Sequence, residues 1–224
     1  MPAAGALAVA DPWVRWDWVA RHGDDIAAAA REHVELTLAA VGWGLAVSSL
    51  LAVAVVRWRR LATPVLAVSG VVYTIPSLAL IAFLVPYTGL SRTTALLGLV
   101  GYTVLVLVRN ILAGLDGVPP EVREAARGMG FSRRAQLLRV ELPLAVPAIV
   151  AGIRIATVTT IGLVTVTAVI GQGGLGRLIL DGFTRDFRTP LVVGCILSVA
   201  LAVAADVVLI GVERALTPWS RRAR

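Results

Sequence analysis

The sequence has no lysine, one cysteine, two histidines and no low-complexity polar stretch that could act as a linker. With a single thiol, Cys195, an intrachain disulfide or a multi-cysteine metal site is excluded, and its place inside an apolar run reads as a small core residue. Walker-type Gly-Lys-Ser/Thr, His-Glu-x-x-His and Gly-x-Ser-x-Gly motifs are all missing, so the chain is not expected to hydrolyse ATP or to be an enzyme. Charge is scarce as well: 16% of residues are charged, where soluble domains carry about a quarter. What is there in abundance is apolar, with 58% hydrophobic residues and a mean hydropathy of +0.83. The net charge is nevertheless +7, and every one of the 21 basic residues is arginine. Such a composition belongs to membrane proteins, and it requires a wet side on which to place the arginines.

Five stretches are long enough for a hydrocarbon core of ~30 Å, which takes about 20 helical residues. They run from Val34 to Val56, Leu61 to Val85, Thr93 to Leu115, Leu144 to Ile170 and Leu191 to Val212. Long apolar runs do not alternate as barrel strands do, and an unpaired amide in lipid costs several kcal/mol, so each is expected to be a helix. Arginine sets the orientation. With the N-terminus outside, the cytoplasmic segments hold Arg57, Arg59, Arg60, Arg123, Arg127, Arg133, Arg134, Arg139, Arg214, Arg221, Arg222 and Arg224. The outer segments hold Arg15, Arg21, Arg31, Arg92, Arg177, Arg185 and Arg188, although they are longer in total, and the bias favours N-out and C-in.

The expected organisation is an extracytoplasmic segment over 1–33, a transmembrane domain over 34–212 with a cytoplasmic loop at 116–143, and a basic cytoplasmic tail over 213–224. The opening MPAAGALAVA lacks a positive n-region and is too short to span, so no cleaved signal peptide is expected. Trp13, Trp16 and Trp18 suit an interfacial amphipathic helix on the outer face, where His22 and His33 read as solvated surface histidines. GQGGLG, Gly171 to Gly176, satisfies Gly-x-Gly-x-x-Gly but follows a long apolar run, and Asp181 and Asp186 come too soon for a ribose-binding acid. It reads as a flexible outer-face turn.

Within the spans, four residues are candidates for a translocation pathway: Tyr73, Pro76, Tyr102 and Arg154. Pro76 should kink the second span, with Thr74 and Ser77 able to bond the freed backbone. Tyr73 and Tyr102 could offer aromatic faces to a quaternary ammonium, although aromatic packing is the more frequent explanation for such a pair. Arg154 lies roughly 16 Å past Pro143 along a helix, a depth at which a charge turns to the bundle interior. Pairing with Asp206 of the fifth span is the favoured explanation. Arg109 and Asn110 are expected to snorkel to the interface.

The loop DGVPPEVREAARGMGFSRRAQLLRVELP, between spans three and four, reads as two short helices. Pro119 and Pro120 suit a helix start, and Val122, Ala126 and Met129 form a narrow apolar stripe. Gly128 and Gly130 break that helix. Ser132 caps a second one in which Phe131, Ala135, Leu138 and Leu142 share a face. The bend exposes a small-residue knuckle around Ala125, Ala126 and Gly130. On physical grounds two roles stay open: a surface lying on anionic headgroups, or a docking element for a soluble partner.

The same loop resembles a family motif. Glu124-Ala125-Ala126, Gly130, Val140 and Leu142-Pro143 follow the spacing of the EAA loop of binding-protein-dependent ABC importer permeases, with Val140 where isoleucine is usual. The stretches YTIPSLALIAFLVP, VRN, ELPLAVPAIVAGIRIATVTTIG and AVIGQGGLG are similar to permeases for glycine betaine, carnitine and choline, and the resemblance covers roughly residues 34 to 212. It implies an all-α integral membrane protein with a type I importer core of about five transmembrane helices in the plasma or inner membrane. It also implies two ATPase subunits that bind ATP and magnesium, a second permease subunit, the same or homologous, and an extracytoplasmic binding protein. No cofactor or metal is expected in this subunit, and no nucleic-acid partner. Glu124, Ala125, Ala126, Gly130, Val140, Leu142 and Pro143 would form the ATPase-coupling segment. The alternatives are a permease of the same class for amino acids or another small solute, and an uncoupled membrane channel or scaffold.

Overall fold

Where lipid surrounds the chain, only the i to i+4 ladder satisfies every backbone amide without water, and this sequence follows that constraint almost throughout. The computed structural model describes residues 12–218. The opening decapeptide and Arg221, Arg222 and Arg224 lie outside the described residues. A short helix α1 (Trp16–Arg21) leads into α2 (Gly23–Arg57), and a 3-10 turn (Arg59–Leu61) leads into α3 (Ala62–Thr74). Then come α4 (Ser77–Thr88), α5 (Arg92–Asp116), α6 (Pro120–Gly128), α7 (Arg133–Gln136), α8 (Leu142–Val166), α9 (Leu175–Thr184) and α10 (Arg188–Leu216).

Helices α2 and α10, α5, and the continuous run 133–170 are each long and apolar enough to cross a membrane. The second expected span, Leu61 to Val85, is a broken one, because α3 and α4 meet at an angle of 97° across Ile75 and Pro76. Helix α2 starts at Gly23 instead of Val34 and is about 50 Å long at 1.5 Å per residue, so it projects well beyond a hydrocarbon core. The fifth span likewise continues past Val212 to Leu216, which draws Glu213 out of the expected tail and into α10.

Helix α5 is the axis of the bundle. Its Val108, Ile111, Leu112 and Leu115 form one core with Ala52 and Val55 of α2 and Ala145 of α8, while Leu99 joins Leu36, Ala40 and Val164 in a second. Backbones come close where one partner is small. A Cβ on Gly152 of α8 would fall 2.4 Å from the Asn110 Cβ of α5, and one on Gly44 of α2 would fall 1.9 Å from the Thr103 hydroxyl. Asn110 therefore does not snorkel. It packs against Gly152 and donates to the Val106 carbonyl at 2.8 Å, whereas Arg109 is exposed.

The GQGGLG segment is not the flexible turn expected. Gly173 and Gly174 take φ of +112° and +51°, and a Cβ on Gly174 would stand 2.4 Å from the Ala29 carbonyl. The turn is wedged against α2, and α9 follows it as an additional helix packed on α10 and α2. The same wedge removes His33 from solvent: its side chain is fully buried, and Nε2 meets the Ile161 carbonyl at 3.0 Å. His22 also departs from the solvated reading, since its ring stacks on Trp18 at 4.3 Å and Nδ1 bonds the Trp18 carbonyl. Near α1, the Arg15 amide donates to Thr189 Oγ1 at 3.0 Å and Arg188 lies over the Trp13 ring, which moors the N-terminal segment to the start of α10.

Candidate functional site

The loop between α5 and α8 is built as two helical pieces, as its sequence requires. Pro120 opens α6 at the first helical position, where its missing amide hydrogen is not needed. Gly130 closes it: at φ +80° its amide bonds the Arg127 carbonyl, and the Phe131 amide reaches back to the Ala126 carbonyl at 3.1 Å. This pair of bonds is a Schellman cap, whose left-handed residue favours glycine. Ser132 then caps α7 by accepting from the Ala135 amide at 3.3 Å.

Glu124, Ala125 and Gly130 are exposed at the turn, while Met129 stands 69% exposed beyond it. Ala126 does not belong to that outer surface. It is 1% exposed and faces inward with half-buried Val122, so the expected knuckle splits into an outer set and an inner residue. Met129 correspondingly leaves the apolar stripe proposed for it.

A π turn, Leu137–Glu141, joins α7 to α8. By widening one turn it rotates the side-chain register, so that Leu137 packs against the α5 core while Leu138 and Leu142 remain 50% and 38% exposed. This corrects the face expected from regular α-helical spacing. Val140 and Pro143 are half-buried, and with Leu142 they belong to the π turn and the first turn of α8, not to the outer surface of α6.

The two pieces are tied together by polar contacts. Arg123 of α6 donates to the Leu115 carbonyl at the end of α5, and its Nε lies 3.8 Å from Glu141. Glu141 also accepts from Gln136 across the π turn at 2.7 Å. At the same end, Arg59 pairs with Asp116 at 2.7 Å. These contacts connect α6 to the end of α5 and to the π turn that leads into α8.

The four pathway candidates do not gather in one place. Tyr73, Pro76 and Tyr102 sit together at the α3–α4 break, where the Tyr73 and Tyr102 rings meet edge to face with centroids 5.8 Å apart. The freed Ile75 carbonyl accepts from the Tyr102 hydroxyl, and Thr74 Oγ1 bonds the Val71 carbonyl at 2.8 Å. Arg154 lies elsewhere, on α8 facing α10. Its Nε and Nη2 bond the two Asp206 oxygens at 2.9 and 3.2 Å, and Nη1 bonds Glu213 at 3.1 Å. This cluster borders an open groove of about 450 Å³ that is otherwise lined mainly by apolar side chains. Glu213 is the partner missed in the sequence; its spacing of seven from Asp206 puts both on one helix face.

A helical bundle with four or five candidate spans, whose central helix leads into an exposed knuckle braced on two of them, is the build of a multi-pass membrane protein. The family model for the binding-protein-dependent transport system inner membrane component matches residues 44–218, and the chain belongs to that family. It is 36% identical to the choline transport system permease protein OpuBB of Bacillus subtilis, over 88% of this chain and 91% of that one. It is 38% identical to the osmoprotectant import permease protein OsmW of Salmonella typhimurium, over 84% and 89% respectively. Among solved structures, an inward-facing form of the MetNI methionine ABC transporter superposes with a TM-score of 0.71 at 22% identity, over 90% of this chain and 98% of that one. An amino acid ABC transporter gives 0.72 at 18% identity, over 90% and 99%. At those identities the likeness is one of fold.

Proposed function

We propose that this chain is the permease subunit of an ATP-driven importer for a quaternary-amine solute of the choline, glycine betaine and carnitine kind. The observation that carries this reading is the 36–38% identity, over 84–88% of the chain, to permeases named for choline, for osmoprotectants and for glycine betaine/carnitine/choline. The permease works in a pair, with two ATPase subunits that bind ATP and magnesium and a binding protein that delivers solute from outside. The N-terminus and residues 1–33 lie on the outer side, and the α6 loop and basic tail lie in the cytoplasm. Helix α6 is the coupling element: Glu124, Ala125 and Gly130 meet the ATPase, and Arg123, Glu141 and the π turn pass its displacement to α5 and α8. Rocking of the paired bundles then alternates access between the two sides.

Ala125→Arg tests the coupling role, because Ala125 points outward whereas Ala126 would perturb the fold when enlarged. The variant should lose co-purification of the ATPase and lower uptake of radiolabelled choline or glycine betaine by roughly tenfold or more, as loss of a central interface contact does. ATPase association at the unaltered level would remove α6 from this role and favour an uncoupled channel or scaffold. Uptake of an amino acid in place of these amines would keep the transporter class and replace the substrate.

A further inference from the structure

Most polar groups inside the bundle are closed on themselves: Arg154 is held by two carboxylates and Asn110 bonds its own helix. The break in the second span is different, because it leaves acceptors without donors. The Ile75 amide reaches back to the Val72 carbonyl at 3.3 Å, and Pro76 has no amide hydrogen. The next donors, Ser77 and Leu78, open α4 on an axis turned by 97°. The carbonyls of Tyr73 and Thr74 thereby lose the amides that would continue the ladder, and among the described residues no hydrogen bond reaches either of them.

These acceptors stand at the C-terminal end of α3, the negative end of its macrodipole. Beside them is an aromatic pair in which Tyr102 is buried and Tyr73 is 39% exposed. The place lies midway along the bundle and on its open side: the end of α3 is roughly 20 Å along that helix, Tyr102 is near the middle of α5, and Thr74 and Pro76 are exposed. Non-helical backbone with open carbonyls at such a depth is tolerated where it lines water or is covered by protein, not where it faces hydrocarbon.

We propose that the Ile75–Pro76 break is a way-station for a quaternary ammonium group crossing the bundle, with the exposed face of Tyr73 and the Tyr73 and Thr74 carbonyls as its contact surface. The chemistry of the ligand fits these groups. A quaternary ammonium has no N–H to donate and spreads its charge over methyl groups, so it is drawn to an aromatic face and to carbonyl dipoles without being held by a fixed counter-charge. A transported ion needs a site it can also leave, and these contacts are individually weak. Tyr102 is a positioning residue: its hydroxyl fixes the Ile75 carbonyl and its ring packs against Tyr73.

The inference rests on the transport reading given above. Its test is the complete complex, with ATPase and binding protein, in proteoliposomes fed radiolabelled choline or glycine betaine. Tyr73→Phe is the starting variant, followed by mono-, di- and trifluorinated phenylalanine at position 73, which keep the ring's shape while draining its negative face. Uptake should fall stepwise with fluorine number, by roughly two- to thirtyfold across the series, the range of a cation–π contact. Uptake indifferent to fluorination in a complex that does carry the amine overturns the site alone. A complex that carries no quaternary amine overturns both the site and the substrate class on which it rests.

Discussion

Helices α5 and α10 both qualify as membrane spans by length and composition, yet 61% of α5's most apolar window is buried inside the subunit and 6% of α10's. Apolarity therefore does not decide which helix becomes the axis. In lipid, hydrocarbon is no better a neighbour for one leucine than another leucine would be, so helices associate through close packing and polar contacts. Helix α5 has the means for this: Thr103 meets Gly44, Asn110 meets Gly152, and Gly114 lies against Ala145 and Ala148. Helix α10 instead presents Ile196, Val199, Val203 and Val207 outward and keeps Asp206 and Glu213 for Arg154. One helix is held by shape along its length, the other largely by one polar tether and the packing of α9.

The strongest way to break this contrast is to enlarge a small residue facing α5. Gly152→Leu drives a side chain into Asn110, where even a Cβ would be 2.4 Å from the Asn110 Cβ. Overpacking of this kind costs about 1–3 kcal/mol or more, and the variant's unfolding midpoint in detergent micelles should fall accordingly. An unchanged midpoint would show that α5 and α8 are not locked by shape. The next effect belongs to the tether. Arg154→Leu strands two carboxylates on α10 and should lower thermal stability, while replacing Arg154, Asp206 and Glu213 together by leucine should recover much of the loss, since it leaves no partnerless charge. If the triple replacement is as unstable as Arg154→Leu, the cluster does more than hold the two helices.

A third, smaller effect separates the two roles in the α6 loop. Gly130→Ala keeps the surface open, because no atom lies within 4 Å of the added Cβ, but it places alanine at φ +80°. The cost is about 1 kcal/mol of local strain. ATPase association should weaken less than for Ala125→Arg, and a complete loss would make Gly130 a contact residue in addition to a helix terminator.

The spans, the two-helix build of the loop between α5 and α8 and the Arg154–Asp206 pair were legible in the sequence because each depends on local chemistry: apolar length, proline and glycine at helix ends, and charge that cannot face lipid. What escaped depends on contacts between distant segments. His33 carries no local mark of burial; it is covered because Gly173 and Gly174 let a turn from beyond α8 settle against α2. The inward face of Ala126 depends on how α6 leans on the bundle, and the π turn at Leu137–Glu141 shifts a register that regular α-helical spacing cannot reveal. Pro76 was expected to bend the second span, but the 97° turn and its rescue by Tyr102 required α5 to be placed beside it. In the candidate site, the helix starts and caps of the loop could be read and the division of its residues between outside and inside could not.

The smallest effect sharpens the comparison from the other side. Val203 of α10 is 59% exposed, so Val203→Ala removes two methyl groups from a surface that meets no other part of the subunit closely. Alanine is the better helix former, by a few tenths of a kcal/mol, and the lost contacts are of similar size, so the unfolding free energy of the single subunit should stay within about 0.5 kcal/mol of the original, with the midpoint nearly unmoved. The same substitution at Leu112, buried in the α5 core, should cost about 2–5 kcal/mol, because a cavity is left that the packed neighbours cannot fill. Measuring both in micelles of the isolated subunit and again in the assembled complex then separates lipid from protein as the cover of α10. A Val203→Ala cost that appears only on assembly would assign that face to a second permease, whereas equal midpoints in both states leave it to lipid.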